Sequence, residues 1–315
     1  MRLIRSLAEA PMERNSVVTV GTFDGVHCAH REIIREVVRL ARIRQGRSVV
    51  ITFDPHPKEV VSSTKGSVHL LTTIDERVAL LEALGVDLML VIPFTFEFSR
   101  TPAEAFYREY IVNGVGASEV VVGYDHMFGR DRQGTVRELE EMGRQHGFSL
   151  ITVPPYEVRG EVVSSTRVRK ALAAGEIEHA TALLGRPYRL QGRVIEGDHR
   201  GIMLGFRTAN IRPEPGNKVV PGRGVYVVRV RVGDERRSGM MNIGVRPTVS
   251  MGLKEALEVH ILDFERNIYG SLINVEFLRK LREERKFGSF SDLIAQLEKD
   301  REETRRFAAG LEDHR

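Results

Sequence analysis

Short apolar runs rich in β-branched residues alternate with amphipathic segments through the first half of the chain. Such runs predict the strands of a parallel sheet joined by helices. The candidate strands are Val17–Gly21, Ser48–Phe53, Asp87–Phe94, Glu119–Gly123 and Ser149–Val153. A helix is predicted from about His30 to Arg44, and its apolar stripe consists of Ile33, Ile34, Val37, Val38 and Ala41. The segment Gly21–His30 then follows a strand at its carboxyl end, where open α/β sheets bind ligands.

One further helix is predicted before the pattern changes. It runs from Ser164 to Leu184, and Ser165 or Thr166 is its expected N-cap. The sequence Gly185-Arg186-Pro187 ends it. We therefore expect the domain boundary near Gly185–Tyr188, between domains 1–185 and 186–315.

The second half has the pattern of an all-β domain followed by a helix. Apolar or alternating runs separated by Gly, Asn and Pro clusters predict a small barrel. These runs are Gly224–Val232, Met240–Gly244 and Leu257–Phe264. From Ser289 to about Ala309 the spacing is helical, with a stripe of Phe290, Leu293, Ile294 and Leu297.

Composition agrees with two domains of a globular enzyme. The chain has 315 residues, which at about 150 residues per domain is roughly two domains. Lys and Arg number 47 against 43 Asp and Glu, so the net charge is +4. This small excess suits an anionic small molecule as well as a nucleic acid.

Cysteine and apolar content exclude two other classes of protein. The single Cys28 cannot form an internal disulfide, and no run approaches the roughly 20 apolar residues of a membrane span. The first residues contain Arg2 and Arg5 but no apolar segment of the kind found in secretory signals. We expect a cytoplasmic protein that binds small molecules and has neither a membrane nor a nucleic acid as partner. The sequence does not indicate how many subunits it has.

Two histidines, His27 and His30, stand just before the first predicted helix. Free N–H groups and a partial positive charge at a helix N-terminus attract phosphate, and imidazoles there add hydrogen bonds to a transition state. The alternatives are surface histidines or part of a metal site. Metal is the poorer alternative, because no further ligands complete a common zinc signature.

A second hydroxyl-rich and basic segment begins the helix near residue 165. Ser165 and Thr166 with Arg169 one turn later form a possible anion site, although an ordinary cap with solvated arginines is equally compatible. Two helix N-termini at the carboxyl ends of strands in one sheet suit a nucleoside triphosphate. Neither a Walker A sequence nor a strand-linked G-x-G-x-x-G is present.

Two further loops follow strands at the same predicted edge. In Phe53-Asp54-Pro55-His56-Pro57 the prolines favour an extended turn that directs Asp54 and His56 toward a ligand, or simply a rigid loop. The polar and aromatic loop containing Asp125 and Phe128 suits a planar heterocycle, or only closes a connection.

In the barrel half, three polar side chains are candidates. Thr208 and Asn210 offer oxygen ligands for a hard cation and phosphates, a weak signal alone. Alternation along 257–261 places Glu258 and His260 opposite Leu257, Val259 and Ile261. By itself this favours a solvent-facing carboxylate over a catalytic base.

Together these segments resemble the bacterial bifunctional riboflavin kinase/FMN adenylyltransferase (FAD synthetase) family over nearly the whole chain. The matching motifs are GTFDGVHCAH at 21–30, FDPHP at 53–57, GYDHMFG at 123–129, SSTRVR at 164–169, GFRTANI at 205–211, NIGVRPT at 242–248 and LEVHILDF at 257–264. The resemblance implies an N-terminal Rossmann-like nucleotidyltransferase domain. It also implies a C-terminal six-stranded antiparallel kinase barrel with a terminal helix.

The resemblance further implies two ATP- and Mg²⁺-dependent reactions, from riboflavin to FMN and from FMN to FAD. In the barrel, Glu258 would be the general base, while Thr208 and Asn210 would hold Mg²⁺ and phosphates. In the sheet domain, His27 and His30 would act on the phosphates. Further residues implied to bind ATP are Gly21, Phe23, Asp24, Ser165, Thr166 and Arg169, and those implied to bind flavin are Asp54, His56, Asp125 and Phe128.

Two residues depart from the family motifs. Ala29 replaces a glycine where the adenine approaches the backbone, so its methyl group is expected to crowd ATP. Arg207 replaces a proline, which restores an N–H group and adds a cation beside the kinase site. The alternatives to the bifunctional enzyme are a riboflavin kinase with impaired adenylyltransferase activity and a non-enzymatic flavin- or nucleic-acid-binding module.

Overall fold

The computed structural model of the chain contains two compact units, residues 1–165 and 166–315. It describes residues 1–10, 13–61, 68–126, 134–197, 205–248 and 252–312. Within these ranges, no helix is both long and apolar enough to cross a membrane. The domain boundary expected near Gly185–Tyr188 stays a prediction, because compactness alone does not show which segments fold independently.

The first unit is built on a parallel sheet of six strands in the order β1-β4-β3-β2-β5-β6. The strands are β1 Arg2–Ile4, β2 Ser16–Val20, β3 Ser48–Asp54, β4 Leu88–Pro93, β5 Ala117–Gly123 and β6 Ser149–Val153. A small antiparallel hairpin, β7 Glu157–Val158 and β8 Glu161–Val162, follows the sheet. The predicted parallel sheet is confirmed, and each predicted strand agrees with the observed one to within two residues.

Helices connect the strands of this sheet. They are α1 Cys28–Ile43, α2 Pro57–Val61, α3 Ile74–Ala83, α4 Ala103–Phe106 and α5 Val136–His146. Short 3-10 turns occupy Leu7–Glu9 and Phe98–Arg100, and a π-helical segment occupies Tyr107–Val112. The predicted first helix is confirmed, although it begins at Cys28 rather than near His30.

Apolar side chains cover both faces of the sheet. On one face, Val18 and Ile51 pack with Tyr107 and other residues of the core. On the other, Val50 packs against Ile34 of α1. Burying each aliphatic side chain of this size contributes about 1.5–3 kcal/mol, so the two layers fix the sheet and therefore the loops at its edge.

The strand order reverses on either side of β2. The chain passes from β2 to its neighbour β3, and later crosses to the opposite neighbour β5. Loops leaving β2 and β5 therefore diverge at their carboxyl ends, and a crevice opens where ligands bind in sheets of this kind. Gly21–His30 follows β2 at this point.

The second unit contains a closed antiparallel barrel of six strands in the order β10-β13-β12-β11-β14-β9. The strands are β9 Tyr188–Ile195, β10 Ala209–Pro213, β11 Gly224–Val232, β12 Glu235–Thr248, β13 Gly252–Ile261 and β14 Leu272–Arg282. The ring closes because β9 also pairs with β10. The barrel implied by the family resemblance is confirmed.

Side chains alternate between the barrel interior and its surface. Leu257, Val259 and Ile261 are buried, whereas Glu258 and His260 remain partly exposed. The predicted faces of β13 are therefore confirmed. The strand ends at Ile261, so the predicted continuation to Phe264 is wrong, because Asp263 adopts a positive φ of +54° in a turn.

The helix predicted from Ser164 to Leu184 is two helices, α6 Ser165–Ala173 and α7 Ile177–Leu184. Gly175 stands between them with a φ of +73°, a conformation that ends a helix. Its N–H donates to the carbonyl of Leu172 (2.9 Å). Helix α6 begins at Ser165 itself, so the prediction of Ser165 or Thr166 as N-cap is also wrong.

A long helix, α8 Phe290–Glu312, ends the described part of the chain. Phe290 is 75% exposed, so its place in the predicted apolar stripe is wrong. The helix instead buries Asp300, whose carboxylate accepts hydrogen bonds from Arg282 at Nε (3.0 Å) and Nη2 (2.8 Å). This paired contact joins α8 to the end of β14.

We predict that Gly175→Ala destabilises the protein more than Gly147→Ala does. Both glycines have positive φ, which costs an alanine about 1–2 kcal/mol. A Cβ at Gly175 would also lie 2.7 Å from Tyr226 Oη and 2.8 Å from Lys280 Nζ, whereas one at Gly147 meets nothing within 4 Å. Overpacking adds about 1–3 kcal/mol at Gly175. Urea unfolding of both variants measures the difference, and equal losses would contradict the contact.

Candidate functional site

The loop from Gly21 to His27 has an unusual backbone. Phe23, Gly25 and Val26 have φ values of +46°, +89° and +39°. The left-handed region costs a non-glycine residue about 1–2 kcal/mol, so two such residues close together need compensation. Burial supplies it, because Phe23 is 3% and Val26 is 1% exposed.

Asp24 holds this loop from within. Its carboxylate accepts hydrogen bonds from the N–H groups of Leu71 (3.0 Å) and Thr72 (2.9 Å) and from the Thr72 hydroxyl (3.2 Å). The same Thr72 hydroxyl accepts a hydrogen bond from the Gly25 N–H (2.9 Å). The Asp24 carbonyl in turn accepts from the Ser165 hydroxyl (2.8 Å). With protein donors facing its carboxylate, Asp24 shapes the loop predicted to bind ATP.

His27 and His30 lie together at the start of α1. His27 is the N-cap, and its Nδ1 accepts a hydrogen bond from the N–H of His30 (3.3 Å). The two imidazoles are stacked with centroids 3.5 Å apart, and the ring of Phe23 meets His30 edge-on at 5.2 Å. An accepting Nδ1 places the proton of neutral His27 on Nε2, which leaves a donor on the far side of the ring.

His30 is held in its neutral form. Burial lowers its pKa well below the usual 6.5, and the nearby His27 and Arg77 lower it further. Among the described residues, its buried Nδ1 has no hydrogen-bond partner. The ring therefore offers a polar atom that an added ligand can satisfy, next to a helix N-terminus that favours anions.

Gly21 and Ala29 flank the histidine pair. A Cβ at Gly21 would approach the Phe23 ring to 3.2 Å, so a glycine allows this ring to fold back over the strand end. Ala29 lies in the first turn of α1 and is half-buried. Alanine favours a helix over glycine by about 1 kcal/mol, so the departure from the family motif stabilises this turn.

The other residues predicted around this edge are distributed as follows. Asp54 ends β3 and lies 3.9 Å from Arg5, while the buried His56 accepts a hydrogen bond at Nδ1 from the Lys58 N–H (3.2 Å). Asp125 is exposed just after β5. Because β3 and β5 flank β2, Asp54 and Asp125 lie on either side of the Gly21–His30 loop. Phe128 lies outside the described residues.

Thr166 and Arg169 are in α6, which follows Ser165. Thr166 is exposed and Arg169 is half-buried. These two residues belong to the second compact unit, whereas Ser165 closes the first. Their predicted role at the ATP phosphates stays a prediction.

In the barrel, Thr208, Asn210 and Glu258 come together. Asn210 on β10 is directly opposite Glu258 on β13, so their side chains share a face. The Thr208 hydroxyl donates to Glu258 Oε2 at 3.4 Å. A Cβ at Gly197 would lie 1.9 Å from Asn210 Nδ2, so only glycine permits the chain to pass this amide. The three predicted kinase residues thus form one cluster on the barrel surface.

Arg207 is fixed through its backbone. Its side chain is exposed, while its carbonyl accepts a hydrogen bond from His260 Nδ1 (2.7 Å). Burial lowers the pKa of His260, although the hydrogen bond to Arg207 partly offsets this. The neutral ring keeps Nδ1–H as the donor. His260 therefore ties the segment before Thr208 to β13, with an arginine where the family motif has proline.

The oxygen atoms of this cluster fit a hard cation. Thr208, Asn210 and Glu258 supply hydroxyl, amide and carboxylate oxygens, which are the ligand types that Mg²⁺ prefers. The described residues contain no group of three or more His, Cys, Asp or Glu side chains suited to a metal. A cation here would depend on neutral oxygens and on substrate phosphates, as Mg²⁺ does at nucleotide sites.

Sequence reasoning missed several neighbours of the two clusters. The Thr72 hydroxyl accepts a hydrogen bond from the Gly25 N–H and donates one to the Asp24 carboxylate. In the barrel, Asn242 on β12 lies directly opposite Glu258. Thr73 and Glu76 form a capping box that marks the start of α3 and was available as a sequence signal. Asn242 is the first residue of the NIGVRPT motif, but the motif assigns it no partner, and only the register of β12 against β13 brings it to Glu258.

We predict that the free energy of unfolding decreases as the pH is lowered, because His30 stays neutral in the folded protein. With a folded pKa well below 6.5, the unfolded chain alone takes up a proton as the pH falls below about 6.5. The stabilisation is complete above this pH and declines below it by up to about 1.4 kcal/mol per pH unit. Denaturant unfolding between about pH 7.5 and 5 should give a shallower slope for His30→Gln than for wild type. Equal slopes would contradict the lowered pKa.

Known proteins resemble the chain in both halves. A family model described as FAD synthetase matches residues 9–167, and one described as riboflavin kinase matches residues 184–308. A bifunctional riboflavin kinase/FMN adenylyltransferase from Listeria monocytogenes is 39% identical over 95% of this chain and 94% of its own. The protein of that name from Escherichia coli K12 is 36% identical over 98% of both chains.

A solved structure agrees over nearly the whole length. It is described as a macrolide-efflux protein from Streptococcus pneumoniae and superposes with a TM-score of 0.87 at 32% identity. The match covers 96% of this chain and 98% of that one. Both halves match in the same order, and the relatives are covered over nearly their whole length. The chain therefore belongs to the bifunctional riboflavin kinase/FMN adenylyltransferase family.

Proposed function

We propose that this enzyme makes FMN from riboflavin in the barrel and FAD from FMN at the edge of the parallel sheet, using ATP for both. The observation that carries the proposal is the match of both families in sequence order, over residues 9–167 and 184–308. Each matched half also contains a cluster of polar groups suited to phosphates. We assign the two activities to domains 1–185 and 186–315, and their location to the cytoplasm, where ATP is made.

In the kinase reaction, Glu258 is the general base. It takes the proton from the ribityl 5′-hydroxyl of riboflavin as that oxygen attacks the γ-phosphorus of ATP, and ADP leaves. Thr208 and Asn210 orient the phosphates beside this carboxylate, which the Thr208 hydroxyl contacts at 3.4 Å. Phosphoryl transfer needs little beyond positioning and charge neutralisation, so this small set of residues is sufficient.

Thr208 and Asn210 are the proposed protein ligands of Mg²⁺. When bound, the cation neutralises negative charge on the ATP phosphates. Strand β10 holds Asn210 in place, since this residue pairs with both Glu258 and Ile195 in the barrel, and Thr208 directly precedes the strand. His260 fixes the preceding carbonyl of Arg207 (2.7 Å) and so orients Thr208.

In the adenylyl transfer, an oxygen of the FMN phosphate attacks the α-phosphorus of ATP. The bond to the β-phosphate breaks and pyrophosphate leaves. His27 and His30 at the start of α1 hydrogen-bond the phosphates as negative charge develops there. We assign Ser165, Thr166 and Arg169 to the same phosphates.

The remaining predicted residues are assigned to ATP or to the flavin at the carboxyl edge of the sheet. Gly21, Phe23 and Asp24 form the ATP loop, in which Asp24 acts by holding the backbone. Asp54, His56, Asp125 and Phe128 are assigned to the flavin. Support comes from the sheet order, which places the strands before Asp54 and Asp125 on either side of β2.

We predict that the two activities separate by mutation. Glu258→Gln should reduce FMN formation from riboflavin by about 10²–10⁴-fold, because the general base is lost. His30→Gln should reduce FAD formation from supplied FMN by about 10²–10³-fold, because a transition-state hydrogen bond is lost. Chromatography of the flavin products with riboflavin or FMN as the starting substrate measures each step.

Each variant retains the other activity as its internal control for folding. Glu265→Gln, in the exposed turn after β13, is the matched carboxamide control and should retain both activities. Loss of both activities in either single variant, with the fold preserved, would contradict the assignment of separate sites.

A further inference from the structure

Arg77 is the largest fully buried side chain among the described residues, and it is charged. It lies on α3 and is 2% exposed. Among the described residues, no carboxylate lies within salt-bridge distance of its guanidinium. Burial lowers the pKa of this arginine, and Asp24, Asp54 and Glu76 partly offset the effect from farther away. Neither the sequence motifs nor the functional assignments include Arg77.

The guanidinium contacts Thr22, which follows Gly21 at the start of the predicted ATP loop. Arg77 Nη1 donates to the carbonyl of Thr22 at 2.9 Å and to the hydroxyl of Thr52 at 3.2 Å. The Thr52 hydroxyl donates in turn to the same Thr22 carbonyl at 3.1 Å. One carbonyl is therefore held by two donors, one from α3 and one from β3.

A buried cation with only neutral acceptors is a poor source of stability. Desolvation of the charge opposes folding, and a well-packed apolar side chain of similar size generally serves a core better. Arg77 Nε also has no partner among the described residues. Packing alone therefore gives no reason for an arginine at this position, whereas its contact with Thr22 places a cation directly beneath the loop.

We propose that Arg77 is a positioning residue of the adenylyl-transfer site. It fixes the carbonyl of Thr22, and so the direction in which the loop leaves β2 toward His27 and His30. This inference rests on the proposed function of the loop. Arg77 acts through the loop and not on the substrate, because its side chain is buried beneath the backbone that it holds.

The same cation acts on His30 through space. His27 is stacked on the His30 imidazole, Phe23 meets its edge, and the charge of Arg77 also acts on it. Burial is the main cause of the lowered pKa of His30 and the stacked His27 is the next, while Arg77 adds a smaller contribution in the same direction because a positive charge disfavours a second one close by. Loss of the cation would raise the pKa of His30, while loss of the hydrogen bonds alone would not.

Two variants of the full-length protein separate these effects. Arg77→Met removes the charge and the hydrogen bonds, whereas Arg77→Lys retains the charge on a single nitrogen. We expect Arg77→Met to lower kcat for FAD formation from FMN at least tenfold with little change in KM for ATP. Arg77→Lys should recover part of this loss. Riboflavin phosphorylation, in the other unit, should be unchanged.

The second readout is the titration of His30 followed by NMR in the ligand-free chain, with His30→Gln used to assign its signal. His30 should titrate at higher pH in Arg77→Met than in wild type, and at the wild-type pH in Arg77→Lys. An unchanged kcat in Arg77→Met would overturn the positioning role whatever the titration of His30 shows, and an unchanged titration would overturn the electrostatic effect on His30. If wild type formed no FAD, the proposed function would fail, while the titration would still test the effect of Arg77 on His30.

Thr52→Val provides a test if Arg77→Met does not fold. It removes the Thr52 hydroxyl, which is one of the two donors to the Thr22 carbonyl and also an acceptor for Arg77, and leaves the charge in place. We expect a lower kcat for FAD formation and an unchanged titration of His30. Arg77→Lys alters the direct hydrogen bond to the Thr22 carbonyl while keeping the charge, so an unchanged kcat in both Thr52→Val and Arg77→Lys would overturn the positioning role.

Discussion

The hydrogen bonds from Leu71 and Thr72 to the Asp24 carboxylate are the constraint on which the adenylyl-transfer site depends. Together with the burial of Phe23 and Val26, they compensate for the left-handed backbone of these two residues. The strained loop ends at His27, whose Nδ1 caps α1 and whose ring stacks on His30. Leaving such buried donors without an acceptor costs about 1–3 kcal/mol each. The conformation of the loop, the N-cap of α1 and the position of the histidine pair therefore all depend on the Asp24 carboxylate.

Local periodicity was sufficient to predict five of the six described strands of the parallel sheet, the helix after β2 and the face on which Glu258 lies, but it missed the short strand β1 Arg2–Ile4. It failed where a tertiary contact decides the structure. The break between α6 and α7 at Gly175, whose φ is left-handed, interrupts an apolar pattern that continues through both helices, so periodicity alone predicted one helix. Residues Thr72 and Arg77 reach the loop from sequence separations of 47 and 55 positions, beyond any local signal. Asn242 similarly depends on the register of two strands.

The two departures from the family motifs lie at positions with different physical constraints. Ala29 is in the first turn of α1, where a methyl group favours the helix that carries His30. At Arg207 the structural contact belongs to the backbone carbonyl, which His260 holds at 2.7 Å, while the side chain is exposed. Neither substitution removes a contact that the described clusters use. The bifunctional enzyme is therefore the interpretation that accounts for both halves of the chain.

The most direct test is the time course of products from riboflavin, ATP and Mg²⁺ with the wild-type protein. The account predicts that FMN forms first and is then converted to FAD with release of pyrophosphate. FMN that accumulates without any FAD would contradict the account, because it would mean that the loop carrying Ala29 no longer supports adenylyl transfer.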